Sequence, residues 1–220
     1  MAIAIRGVTV GTYALGSSGT ENKPSGTVSG DLLIACCYHT GTPTITGPTG
    51  WTRLLRVTGT SDVGWVADYW YKVAGGSEPA SYTWSGGTDH LIDIASYSGV
   101  DNGTPFDVTV DSATSSSGVN IVAPSVTTAT ANAWISCGFW HYDSPALGVP
   151  AGMTALANAD GLLVCDVLQA GAGASGTKTA TGTSGIEKIA IITALRPASG
   201  MVVSDIIVQG VRLPYAILAQ

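Results

Sequence analysis

Three histidines, His39, His90 and His141, share this chain with Asp31, Asp68, Asp89, Asp93 and Asp143. A histidine oriented by a carboxylate is the commonest general base. No local motif organises these residues: the chain has no His-x-His, no His-Glu-x-x-His and no Gly-x-Ser-x-Gly. His39 and His141 close two similar stretches, so they read as equivalent partners in a repeat and not as a matched acid and base. Both are expected at strand ends, facing solvent or a subunit contact. Glycoside hydrolysis needs two facing carboxylates, yet Glu21, Glu78 and Glu187 are the only glutamates, and two of them sit in or near turns. Calcium would be offered Asp101-Asn102-Gly103, or Asp107 with Asp111. Neither has EF-hand spacing, and such acidic turns more often hold themselves together through Asx hydrogen bonds. The expectation is no catalytic residue, no metal, no cofactor and no enzyme activity.

Cys36 and Cys37 are neighbours on an apolar stretch and, on a strand, point to opposite faces, so they cannot clamp one metal as a Cys-x-x-Cys pair does. With Cys137 and Cys165 they read as small hydrophobes, a Cys137 disulfide being the lesser alternative. The aromatic residues offer a sharper idea. Trp51, Trp65, Tyr69, Trp70, Tyr71 and Trp84 crowd into one part of the chain. Rings exposed on a sandwich stack on sugars, so Trp65, Tyr69, Trp70 and Trp84 are candidate glycan contacts, with Asp68 and Lys72 as polar partners. The competing reading puts about half of them in the core, as strand alternation demands.

The elements that would position these residues come twice. Gly30-Asp31-Leu32-Leu33-Ile34-Ala35-Cys36-Cys37-Tyr38-His39 is answered by Asn132-Ala133-Trp134-Ile135-Ser136-Cys137-Gly138-Phe139-Trp140-His141. Pro48-Thr49-Gly50-Trp51-Thr52 is likewise answered by Pro150-Ala151-Gly152-Met153-Thr154. Val8-Thr9-Val10 matches Val108-Thr109-Val110, Tyr69 to Gly76 matches Val164 to Gly171, and Ile92-Asp93-Ile94 matches Ile189-Ala190-Ile191, all at offsets of about 100 residues. The chain therefore reads as two homologous halves of about five strands each, residues 1–99 and 106–196. The segment from Gly99 to Pro105 is too short and turn-rich to separate them. A lone half would have a thin core and long edges, so the expected fold is an all-β sandwich of jelly-roll type with the halves interleaved. Two tandem small sandwiches are the alternative.

The 220 residues are 45% hydrophobic and 11% charged, with 29 glycines, enough apolar material for a core and unlike a disordered chain. A net charge of -6 with scattered Lys and Arg argues against nucleic acid. No run approaches the roughly 20 apolar residues of a membrane span, and the N-terminus does not read as a secretory signal.

The body is expected to span residues 1–198, and residues 199–220 form an apolar C-terminal arm without counterpart in the first half. Its β-branched residues favour extended structure. Val202, Val203, Ile206, Ile207, Leu213, Tyr215, Ile217 and Leu218 are the candidate docking residues, for a second subunit or for a particle, an extra strand on its own domain being the alternative.

Gly30-Asp31-Leu32-Leu33-Ile34-Ala35, Pro48-Thr49-Gly50-Trp51-Thr52, Tyr71-Lys72-Val73-Ala74, Glu78 to Trp84, Tyr97 to Asp101 and Thr104 to Asp107 together resemble a β-sandwich module found in tailed-bacteriophage virion proteins and bacterial surface proteins. The resemblance covers residues 1 to 196, includes no catalytic motif, and implies a capsid decoration protein, a head fibre or a tail adhesion protein. It implies, with the arm, a homotrimer that joins other virion proteins such as the major capsid protein, made in the host cytoplasm and ending in the virion. A glycan-binding adhesin of a tail fibre or cell surface is the alternative.

Overall fold

The computed structural model describes residues 1–41, 44–59, 64–141, 146–184 and 186–199, together with the backbone of two short strands beyond them. The first half supplies β1 (Ala4–Thr9), β2 (Ala14–Leu15), β3 (Ser18–Asn22), β4 (Leu32–Thr40), β5 (Thr52–Thr58), β6 (Trp65–Val73), β7 (Ser81–Ser85) and β8 (Asp89–Ser98). The second supplies β9 (Asp111–Ser115), β10 (Asn120–Ala123), β11 (Thr127–Thr128), β12 (Ala133–His141), β13 (Thr154–Ala159), β14 (Leu162–Gln169), β15 (Gly173–Ala174), β16 (Lys178–Thr181) and β17 (Lys188–Leu195). In the arm, β18 (Ile207–Val208) pairs with β19 (Val211–Arg212) as a hairpin.

Each half makes one large antiparallel sheet. The orders are β1-β8-β4-β6-β5, with β2 beside β8, and β9-β17-β12-β14-β13. These are the same connectivity written twice. Small sheets, β3 with β7 in the first half and β10 with β16 in the second, cover the outer faces. Among the described residues no large sheet takes a strand from the other half, so the expected jelly-roll interleaving is not what forms: two sandwiches lie face to face. The reason is local. Hairpins such as β5-β6 and β13-β14 close with short loops, and pairing within a half costs less loop entropy than threading strands between halves.

Alternation along the central strands builds three cores. One face of β4 sends Leu32, Ile34, Cys36 and Tyr38 inward, to meet Trp140, Leu162, Val164, Ile189 and Ile191 of the other half. Its opposite face sends Leu33, Ala35 and Cys37 outward under Trp51, Tyr82 and Trp84. The second half repeats this with Ile135, Cys137 and Phe139 under Ile121, Ala123 and Ala180. A strand buried on both faces reads as a continuous apolar run, which is how both central strands look in sequence.

Register refines the repeat. Leu32 lies opposite Tyr97, and its counterpart Trp134 lies opposite Leu195, so Ile92 corresponds to Ala190 and not to Ile189. That single-residue difference changes faces: Ile92 is in an outer core and Ile189 in the central one. The edge strands β5 and β13 each carry a bulge, at Leu54 and Leu156, and both bulged side chains pack on the central core. Bulges of this kind twist an edge away from further pairing.

Candidate functional site

Of the titratable residues singled out in sequence, His39, His90 and Asp68 come together. They lie on adjacent strands of the first sheet, His39 directly opposite His90 across β4 and β8. His90 Nε2 is 2.9 Å from the Gly16 carbonyl, which only accepts, so that nitrogen carries the proton. His90 Nδ1 is then the acceptor, and His39 Nδ1, 2.8 Å away, donates to it. This leaves His39 Nε2 as a bare lone pair, unpaired and 3.8 Å from Asp68 Oδ2. The carboxylate is occupied elsewhere. Arg56 Nε donates to Oδ1 at 2.8 Å, Arg56 Nη2 donates to Oδ2, and Arg53 stands 3.9 Å away.

Burial holds the His39 imidazole down to about 3, with the neighbouring His90 and Arg56 adding to the effect, and His90 is also lowered by burial. Both rings are neutral at pH 7. A triad needs its base to reach a nucleophile and its carboxylate to hold the base. Here the histidines hold each other, Arg56 holds the carboxylate, and all three side chains are sealed. The arrangement pins β4 to β8 and β6 to β5. The expectation that His39 faces solvent or a partner is corrected, and so is that for His141, which is buried with Nε2 donating to Thr183 O at 3.0 Å. Gly182 and Thr183 lie against His141, and Gly16 and Gly19 against His39's partner His90, contacts which the period of a strand does not reveal.

The remaining carboxylates are scattered. Asp89 accepts from Tyr13 Oη and Thr40 Oγ1, both at 2.6 Å, and these hydrogen bonds lower its pKa. Asp31 takes Arg6 Nε and the Val28 N–H, and Asp93 takes the Gly11 N–H. Glu78 is tied to Lys72, Tyr82 and the Gly75 N–H. Asp101 closes an Asx turn on Gly103 and Thr104, Asp107 caps Ala129 and Thr130 and pairs with Arg196, and Asp111 takes its neighbour Ser112. Asp143 lies outside the described residues. Among the described residues no three His, Cys, Asp or Glu side chains converge as metal ligands. All four cysteines are free and buried, and burial, then Asp166, pushes the Cys165 thiol up to about 12.

The proposed glycan contacts are corrected outright. Trp65, Tyr69 and Trp84 are 0% exposed and Trp70 is 5% exposed, so none offers a ring face to a sugar. Trp65 Nε1 donates to Glu187 Oε2 at 2.7 Å, and the Tyr69 hydroxyl meets Ser136 Oγ, so these two tie one half to the other. Trp84 and Trp51 pack edge to face in the outer core, and Arg53 lies over Trp70. A sandwich between two layers on each side consumes aromatic residues that a two-layer sandwich would leave outside. Glu187 and Ser136 had no sequence signal, since their partners come from the other half. Arg56 had one: its charge and that of Asp68 flank the turn-prone Gly59-Thr60-Ser61-Asp62.

An apolar groove of about 610 Å³ lies at the end of the body where its termini meet. Met1, Ile3, Trp134, Leu168, Pro197 and Ala198 line it, with Asn132 as a polar side chain among them. Leu168 is 52% and Met1 74% exposed, so both present apolar surface at the groove. Ala198, in this lining, directly precedes residues 199–220 in the sequence. Of its candidate docking residues, Ile207 lies in β18, while Val202, Val203, Ile206, Leu213, Tyr215, Ile217 and Leu218 lie outside the described residues. No helix among the described residues is long and apolar enough to cross a membrane. Compared with protein-family models, with curated proteins and with solved structures, the chain matches none.

Proposed function

We propose that this chain is a non-enzymatic structural protein of a bacteriophage virion, a capsid decoration or cement protein that self-associates as a homotrimer and docks on the particle beside the major capsid protein. The observation that carries the reading is an apolar arm leaving a rigid double sandwich at the rim of an apolar groove. Support comes also from the polar residues. The histidines and carboxylates that suggested chemistry are engaged in internal ties, and the pair nearest to a catalytic arrangement has no approach from solvent. The resemblance of residues 1 to 196 to virion sandwich modules supplies the setting. The adhesin alternative lost its residues when the four rings proved buried.

The test is the solution mass of the full chain beside a version ending at Ala198, each checked for folding by near-ultraviolet circular dichroism. A trimeric full chain and a folded, monomeric truncation are expected. A monomeric full chain whose arm lies on its own sandwich overturns the reading.

A further inference from the structure

We propose that the groove at the termini receives the C-terminal arm of a second copy of this chain. The inference rests on the reading of the arm as an assembly device and names where it lands. The groove is apolar and its root is fixed. The Met1 ammonium donates to Ala198 O at 2.7 Å, Ala198 N donates to Gly99 O at 2.8 Å, and Val100 bridges to Pro197. One proton of the Met1 ammonium is thus directed at a backbone carbonyl beside the groove. Beside it, Leu168 and Trp134 are register partners at the ends of β14 and β12, and Leu168 projects half into water.

The arm has the complementary chemistry. From Met201 to Ala219 its only charged residues are Asp205 and Arg212, and its middle is the β18-β19 hairpin. A two-stranded hairpin is marginal alone in water and needs an apolar surface to lie on. At roughly 3.3 Å per extended residue, the stretch from Met201 to Ala219 is long enough to reach from one body to the groove of a neighbour. Because each arm leaves beside a groove, exchange around a symmetry axis fills every groove and leaves no arm bare, the closed arrangement that point-group oligomers adopt.

The experiment uses the full chain with a photo-crosslinking benzoylphenylalanine in place of Leu168, prepared as an equal mixture of heavy-isotope and light protein. Irradiation is expected to join position 168 to peptides from residues 202–218, with heavy-to-light pairs present. Independently, Leu168→Asp should weaken self-association about tenfold or more, since it replaces a buried apolar contact with a charge. Val119→Asp, at a 47% exposed apolar site away from the groove, should not. Crosslinks confined to single chains overturn the proposal in favour of an arm lying on its own body. An intact oligomer with no crosslink at position 168 and no effect of Leu168→Asp overturns it while leaving the arm an assembly device that docks elsewhere. A monomeric full chain overturns both.

Discussion

Asp93 and His39 occupy the same sheet and respond to pH in opposite directions. Burial, helped by Glu21 and Asp160 and opposed by the Gly11 N–H, pushes the Asp93 carboxyl from 3.8 up to about 7, and its Oδ2 has no partner. Between those values the folded chain holds a proton that the unfolded chain has released, so this contribution to stability is complete below pH 3.8 and falls as pH rises to about 7. His39 runs the other way. Its folded value of about 3 against 6.5 means that the unfolded chain binds a proton first on acidification, and stability is lost below pH 6.5. Asp93→Asn keeps an acceptor for Gly11 and removes only the first effect. It should match the native chain at pH 4 and exceed it by about 2 kcal/mol or more at pH 8. Urea midpoints at the two pH values decide this, and a variant no more stable at pH 8 would refute the assignment of a buried, mostly protonated carboxyl.

At the scale of the strand, β12 shows how a glycine makes room for a tryptophan. A Cβ on Gly138 would lie 2.4 Å from the Trp140 ring, two residues along on the same face, and that ring belongs to the central core. Gly138→Ala should cost about 1–3 kcal/mol, because the ring must leave its position between the sheets. It should also change the near-ultraviolet signal of the tryptophans. Gly171→Ala is the control, since a Cβ there meets nothing within 4 Å. Equal stability of the two variants would mean that Trp140 does not lie where the packing of β12 puts it. The bulges at Leu54 and Leu156 make the same point for edges: a residue outside the ladder is not surplus when its side chain joins the core.

Across the whole molecule, the central core decides whether two halves behave as one body. Trp65 and Tyr69 from one half meet Glu187 and Ser136 from the other through hydrogen bonds set among apolar side chains of both sheets. Unfolding either half would bare the inner face of its partner. A single cooperative transition is expected, with calorimetric and van't Hoff enthalpies in agreement for the body. Two resolved transitions would show that the halves are independent beads on a chain.

The amino-acid order by itself marked the central strands, because β4 and β12 announce themselves as apolar runs closed by histidine, and it pointed to two similar halves, because Pro48 to Thr52 is echoed by Pro150 to Thr154, while the short strands of the outer layers left no such mark. These are local signals of period and turn. Which face each residue takes, and what lies on it, came only with tertiary structure. Ile92 and Ile189 align by letter yet serve different cores, since a sheet's faces follow register and a one-residue shift reverses them. Trp65 is buried because the other half's sheet covers it, its Glu187 partner lying 122 residues on, and His39 is buried beside His90, 51 residues on in the neighbouring strand, distances over which no periodicity carries information.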